Sequence, residues 1–198
     1  MGNELENKEA KKERVAIFID GSNFYHSTKS IREKGYVLDF EKIISELARS
    51  RKVKTFYYTA LLDPDYNLER YEEHKKHIDD LKNIPDFNVV LCDLRRIMMG
   101  NKYQYEVKGD DVYLSHDLLV GAFDNIYDVA IILSGDADFI PVINTLINRF
   151  KKKVGNAYFR RTSSFKLRRA CNFSVNMNML IGKLLEKDSK KRPASPKR

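Results

Sequence analysis

The sequence predicts an α/β protein with a mainly parallel central sheet of about five strands flanked by helices. Two observations carry this. Short apolar, β-rich runs recur along the chain, and segments of helical period separate them. VAIFI and VAIIL, in the first and fourth of these runs, are apolar throughout rather than alternating, as strands covered on both faces must be.

The elements follow in order. VAIFID (15–20) reads as a buried parallel strand closed by Gly21. SNFYHSTKSIREKG begins a helix or an irregular turn. DFEKIISELARS (39–50) sets Phe40, Ile43, Ile44 and Leu47 on one helical face, with Asp39 as its N-cap. VKTFYYTALL (53–62) is the second strand. Residues 63–84 open on a turn signal and become a charged helix, on which His74 and His77 read as part of a solvated face. FNVVLCDL (87–94) is the third strand. Residues 95–109 lack a clear period and read as a flexible loop or a hairpin turning at Gly100-Asn101. A helix over 110–124 leads to the fourth strand, DVAIILSG (128–135). The next helix spans 138–150, with Asp138 at its start and Pro141 in its first turn. KVGNAYF (153–159) is the fifth strand, and 163–187 reads as a closing helix followed by a less regular segment.

This organisation gives one domain over 15–182, between a disordered charged tail at 1–14 and a disordered basic tail at 183–198. The chain is 42% hydrophobic and 32% charged, which suits a single core. No apolar run approaches the roughly 18 residues of a membrane-crossing helix. The N-terminal MGNELENKEAKKER lacks the apolar stretch of a signal peptide, so a cytoplasmic, membrane-free protein is expected. Cys92 and Cys171 belong to no metal or disulfide spacing and read as small apolar residues.

Charge is divided unevenly. Residues 139–198 hold 16 of the 36 Lys and Arg but only 2 of the 28 Asp and Glu. An acidic front and a basic back point to a polyanionic partner held by the back. Within NRFKKKVGNAYFRRTSSFKLRR the charges alternate with apolar residues, so they belong to the fold rather than to a tail.

Right-handed crossovers put the carboxyl ends of all parallel strands on one edge, where such sheets bind ligands. Asp20 closes the first strand and Asp136 follows the fourth. In ILSGDADFIPVI, Asp138 can be read as a helix cap, or Asp136 and Asp138 can be read as cation ligands.

Four segments, VAIFIDGSNFY, KGDDVYLSHDLL, ILSGDADFIPVI and VGNAYFRRTSSFKLRRACNF, together resemble the NYN domain, in the LabA-like branch of the PIN-like nucleases. The likeness spans about residues 15–180. It implies a PIN-like three-layer sandwich and an endoribonuclease site that uses Mg²⁺ or Mn²⁺. By position, Asp20 and Asn23 match the first motif, Lys108, Asp111 and Asp117 the central one, and Asp136 and Asp138 the third. The chemistry agrees with this. Carboxylates gathered at one edge repel, a divalent cation relieves the repulsion, and an all-aspartate set without His or Cys favours Mg²⁺ or Mn²⁺ over zinc.

On this reading Asp20 and Asp136 are direct metal ligands, and Asp111 and Asp138 complete the catalytic pocket. Asp117 is a weaker metal candidate. It lies six residues beyond Asp111, about 120° round a helix, so the two cannot point the same way. Asp110, seven before Asp117, shares that residue's face; the motif favours Asp111. Asn23 and Ser134 would hydrogen-bond a carboxylate or a phosphate, and Lys108 would approach the scissile phosphate. Arg160, Arg161, Lys166, Arg168 and Arg169 would grip the backbone of single-stranded or structured RNA, and Tyr103, Tyr105 and Phe165 would stack bases. The family pattern leads one to expect an acid where Asn172 stands, which would lower metal affinity here if that acid took part. A catalytically weak RNA-binding or regulatory protein is the alternative, and a homodimer is allowed. Nothing in the sequence reads a 2′-hydroxyl, so RNA and DNA stay unseparated.

Overall fold

The computed structural model describes residues 13–191 except Ser50, Lys52, Tyr66 and Asn101; of the tails expected at 1–14 and 183–198, residues 1–12 and 192–198 lie outside the described residues. The chain runs β1 (Val15–Asp20), α1 (Gly21–Ser27), α2 (Lys29–Arg32), α3 (Phe40–Ala48), β2 (Val53–Thr59), α4 (Leu68–Lys82) and β3 (Phe87–Leu91). A hairpin of β4 (Asp93–Met99) and β5 (Lys102–Lys108) follows, then α5 (Asp110–Phe123) and β6 (Val129–Leu133). One 3-10 turn (Ala137–Phe139) precedes α6 (Ile140–Asn148), β7 (Lys153–Tyr158), α7 (Phe165–Ala170), β8 (Phe173–Asn176) and α8 (Met177–Lys191).

Six strands form one sheet in the order β3-β2-β1-β6-β7-β8, and every neighbouring pair is parallel. The order reverses between β1 and β6, so the switch point of the sheet lies where Asp20 and Ser134 stand. Strand periodicity divides the core. Ile17, Ile19, Ile131 and Leu133 face Phe24 of α1, Phe40 and Ile43 of α3, and Ile181 of α8. Ala16, Phe18, Ala130 and Ile132 face Leu114 and Leu118 of α5, Ile143 and Leu146 of α6, and Leu167 of α7. Helices therefore cover both faces, in three layers. Among the described residues no helix is long and apolar enough to cross a membrane.

Three expectations need correction. The sheet has six strands rather than about five, because FSVN (173–176), inside the segment read as a closing helix, pairs with β7 as β8. Lys183–Lys191, read as the start of the basic tail, is the second half of α8, and Leu184 and Leu185 pack on the core. Glu13 and Arg14 are also tied in rather than belonging to a loose tail. Glu13 pairs with Arg51 at 2.7 Å, and Arg14 pairs with Asp128 at 2.7 Å. Residues 95–108 do form the expected hairpin, turning at Gly100, whose φ is 61°. Both cysteines are free, with Cys92 buried and Cys171 half-buried.

Candidate acidic site at the carboxyl edge of the sheet

Strand parity aims the first carboxylate. Asp20 shares the face of Ala16 and Phe18, so it projects toward α5 and α6. It is 6% exposed and both oxygens are engaged. Oδ1 accepts the Asn23 backbone N–H at 2.9 Å, capping α1, and Oδ2 accepts the Ser134 hydroxyl at 2.8 Å. Ser134 Oγ in turn accepts the Asp136 N–H at 3.1 Å. One hydroxyl thus links the carboxylate ending β1 to the loop that follows β6. Ser134, only 1% exposed, therefore takes the first of the two roles expected of it, holding the Asp20 carboxylate rather than a phosphate.

The helix-cap question resolves in favour of Asp136. Its Oδ1 accepts the Asp138 N–H at 2.9 Å at the head of the 3-10 turn. Asp138 lies inside that turn and is exposed, and α6 begins only at Ile140. Asp136 holds the cap because the chain is still extended there, with φ −81° and ψ 128°.

The hairpin delivers the next acids. Gly109, at φ 83°, adopts a left-handed turn that suits glycine and starts α5. Asp110 and Asp111 form the first turn of that helix. Burial raises the Asp20 carboxyl; the Asn23 N–H and Ser134 hydroxyl oppose this, and the charges of Asp110 and Asp136 add to it. Asp111 reaches solvent, yet it is pushed up to about 6, first by partial desolvation and then by Asp110, Asp20, Asp136 and Asp138. The five acids therefore share one field. Asp110, passed over in favour of Asp111, is part of it; its signal was the DD pair itself. Asp117 turns toward β2, where it accepts the hydroxyl of the fully buried Tyr58 at 2.9 Å, beside His116 Nδ1 at 3.0 Å.

The remaining expected residues divide by partner. Lys108 ends β5 and pairs with Glu106 at 2.9 Å. The turn after β7 is held against the acidic loop. Ser164 N–H donates to the Gly135 carbonyl at 2.9 Å, and the Ser27 and Thr162 hydroxyls meet at 2.6 Å. Gly135 is required by this closeness, since a Cβ there would meet the Thr162 carbonyl oxygen at 1.9 Å. Arg160, Arg161, Lys166 and Arg169 are exposed on this turn and on α7. Arg168 is instead half-buried, 4.5 Å over the Tyr158 ring and bonded to Ser163. Asn172 lies at the opposite edge, where its Oδ1 accepts the Val154 N–H at 2.7 Å. An acid was expected at this position, with a consequence for the metal only if it took part; here the side chain holds the start of β7, away from the carboxyl edge.

Sequence reasoning missed Asn156. It is fully buried in β7, and its Nδ2 donates to the carbonyls of Ile132 at 3.1 Å and Ser134 at 2.9 Å, fixing the end of β6. Its signal was one polar residue inside the apolar stretch VGNAYF. His74 and His77 both line a cleft beside α1; His77 is exposed, as the solvated reading expects, whereas His74 is half-buried.

The donor set suits a hard divalent ion: it is oxygen-only, anionic and self-repelling. Among the described residues no group of three or more His, Cys, Asp or Glu side chains is placed to hold a metal ion. Mg²⁺ needs no such cage, because it keeps several waters and is bound through one or two carboxylates.

A six-stranded α/β sheet with acids at its switch point is the arrangement of the PIN-like nuclease class. Within that class the chain belongs to the NYN domain family, which matches residues 14–178. No curated protein matches the chain. Among solved structures, a protein of unknown function from Vibrio parahaemolyticus superposes with a TM-score of 0.64 at 22% identity, covering 88% of this chain and 98% of that one. At that identity the likeness concerns the fold.

Proposed function

We propose that the protein is a divalent-metal-dependent endoribonuclease of the LabA-like branch. The observation that carries this is the shared field of Asp20, Asp110, Asp111, Asp136 and Asp138 at the switch point, with exposed cations beside it. The motifs VAIFIDGSNFY and ILSGDADFIPVI support the branch.

Asp20 and Asp136 hold Mg²⁺ or Mn²⁺, with Asp111 and Asp138 completing the pocket directly or through water. Bound there, the ion supplies Lewis-acid polarisation of the phosphodiester and activation of a water nucleophile. The chain's own part is orientation. Ser134 and the Asn23 N–H fix Asp20, the cap contact fixes Asp136, and Tyr58 draws Asp117 away as an outer support. Arg160, Arg161, Lys166 and Arg169 bind backbone phosphates on the β7 side, which sets the strand across the acids. Arg168 holds the α7 platform through Tyr158.

The test is cleavage of labelled single-stranded RNA and its DNA counterpart in Mg²⁺, Mn²⁺ or EDTA. RNA cutting that needs metal supports the reading, and preference for DNA would replace the substrate class. The second reading, an RNA-binding or regulatory protein with weak turnover, is favoured by the exposed cations, which grip a polyanion whether or not the acids act. RNA binding with no cutting in either metal would establish it.

A further inference from the structure

The carboxyl edge continues past Asp20 into a cleft of about 650 Å³ walled by α1, α4 and the β4–β5 hairpin. Gly21 and Ser22, the two residues after Asp20, form its near rim. The sheet order fixes its place. Along the edge come the cleft at the end of β2, the acids at β1 and β6, and the cations after β7. From β2 to β7 is three strand spacings, about 14 Å. A strand gripped after β7 and crossing the acids would arrive at this cleft.

Three features fit one occupant. Tyr25 is 56% exposed, yet it is built into a rigid stack. The Arg32 guanidinium sits 4.0 Å over its ring, held by Thr28 Oγ1 at 2.7 Å and the Tyr25 carbonyl at 2.8 Å. A fixed aromatic–guanidinium pair is a stacking surface that accepts any nucleobase. His74 lines the cleft with its Nδ1 shielded from solvent and without a partner among the described residues. Burial and His77 lower its pKa, so at neutral pH the ring is uncharged and offers one donor and one acceptor, as a base edge requires. The lining also mixes Arg32 and Arg70 with Asp63 and Glu73. That balance suits a base and ribose better than a bare phosphate. The far wall is tied down where the Tyr105 hydroxyl meets Asp63 at 3.4 Å.

We propose that this cleft is a nucleotide subsite taking a base and ribose that flank the cut in single-stranded RNA. It rests on the nuclease reading only for where the cut falls, and occupancy is therefore tested without metal. The full chain in EDTA is mixed with oligouridylate carrying 4-thiouridine, and affinity and photocrosslinks are recorded. The expected result is crosslinks in the peptides containing Tyr25 or Tyr105. Tyr25→Ala should weaken binding by about tenfold or more, while Tyr25→Phe, which keeps the ring, should bind as wild type. Crosslinks confined to 160–169, with Tyr25→Ala binding as tightly as wild type, would overturn it. So would a wild type that binds no RNA, which would leave the cleft to a peptide. Cleft crosslinks without cutting in Mn²⁺ would support the subsite and sink only the nuclease reading; cutting with crosslinks only at 160–169 would do the reverse.

Discussion

Asp136 does two things that substitution can separate. Its carboxylate caps the 3-10 turn and, on our reading, holds metal. Asn also caps well, so Asp136→Asn should melt within a few tenths of a kcal/mol of wild type, whereas Asp136→Ala should lose about 1 kcal/mol. Both should lose metal-dependent cutting. Asp111 shows the cost of the cluster without metal. Its carboxyl lies at about 6, above the ordinary 3.8, so the folded state holds more protons between those values. Stability contributed by that proton is present at low pH and lost as pH rises through about 6. Asp111→Asn should therefore flatten the fall in melting temperature from acid to neutral pH in EDTA, and also shrink the gain on adding Mn²⁺. Melting curves across pH with and without Mn²⁺ read both effects.

At the scale of elements, the site depends on two junctions. The first is between the acidic loop and the 160–164 turn. Gly135→Ala would drive a methyl into the Thr162 carbonyl, which must displace backbone on one side. A loss of about 2 kcal/mol or more is expected, read by urea unfolding, together with weaker RNA binding as the cations move off. The second is between the starts of β1 and β6. Asp128 is held down to about 2 by the Arg14 guanidinium, against 3.8 ordinarily. A depressed carboxyl stabilises above its unfolded value and loses that contribution as pH falls toward 2. Asp128→Asn should lower stability at neutral pH and make acid unfolding less steep. The elements themselves were most legible where burial on both faces wrote continuous apolar runs, as in β1 and β6. The hairpin was legible through its Gly-Asn turn. β8 was not, because four residues with mixed exposure carry no period and helical sequence flanks them. The start of α6 slipped past Asp138 because a 3-10 turn and a helix share the same capping chemistry.

At the scale of the whole molecule, the acids at the switch point and the exposed cations of 160–169 lie along one carboxyl edge. RNA affinity should fall with salt, and removing Arg160, Arg161 or Lys166 should each reduce the log–log slope by about 0.7 if each meets a phosphate. Binding titrations across salt measure this. Most of the acid cluster was legible because Asp20 and Asp136 sit at strand ends and the sheet order makes them neighbours. What the sequence hid were partners set by tertiary contact: Arg168 over Tyr158, Tyr58 on Asp117, and His74 in a cleft. The most direct test of the central claim is cleavage of single-stranded RNA in Mn²⁺ by wild type beside Asp136→Asn. Cutting by wild type, abolished by EDTA and by the substitution while the fold melts unchanged, is the expected result. Equal cutting by both proteins, or none by either, would contradict a nuclease site at these carboxylates.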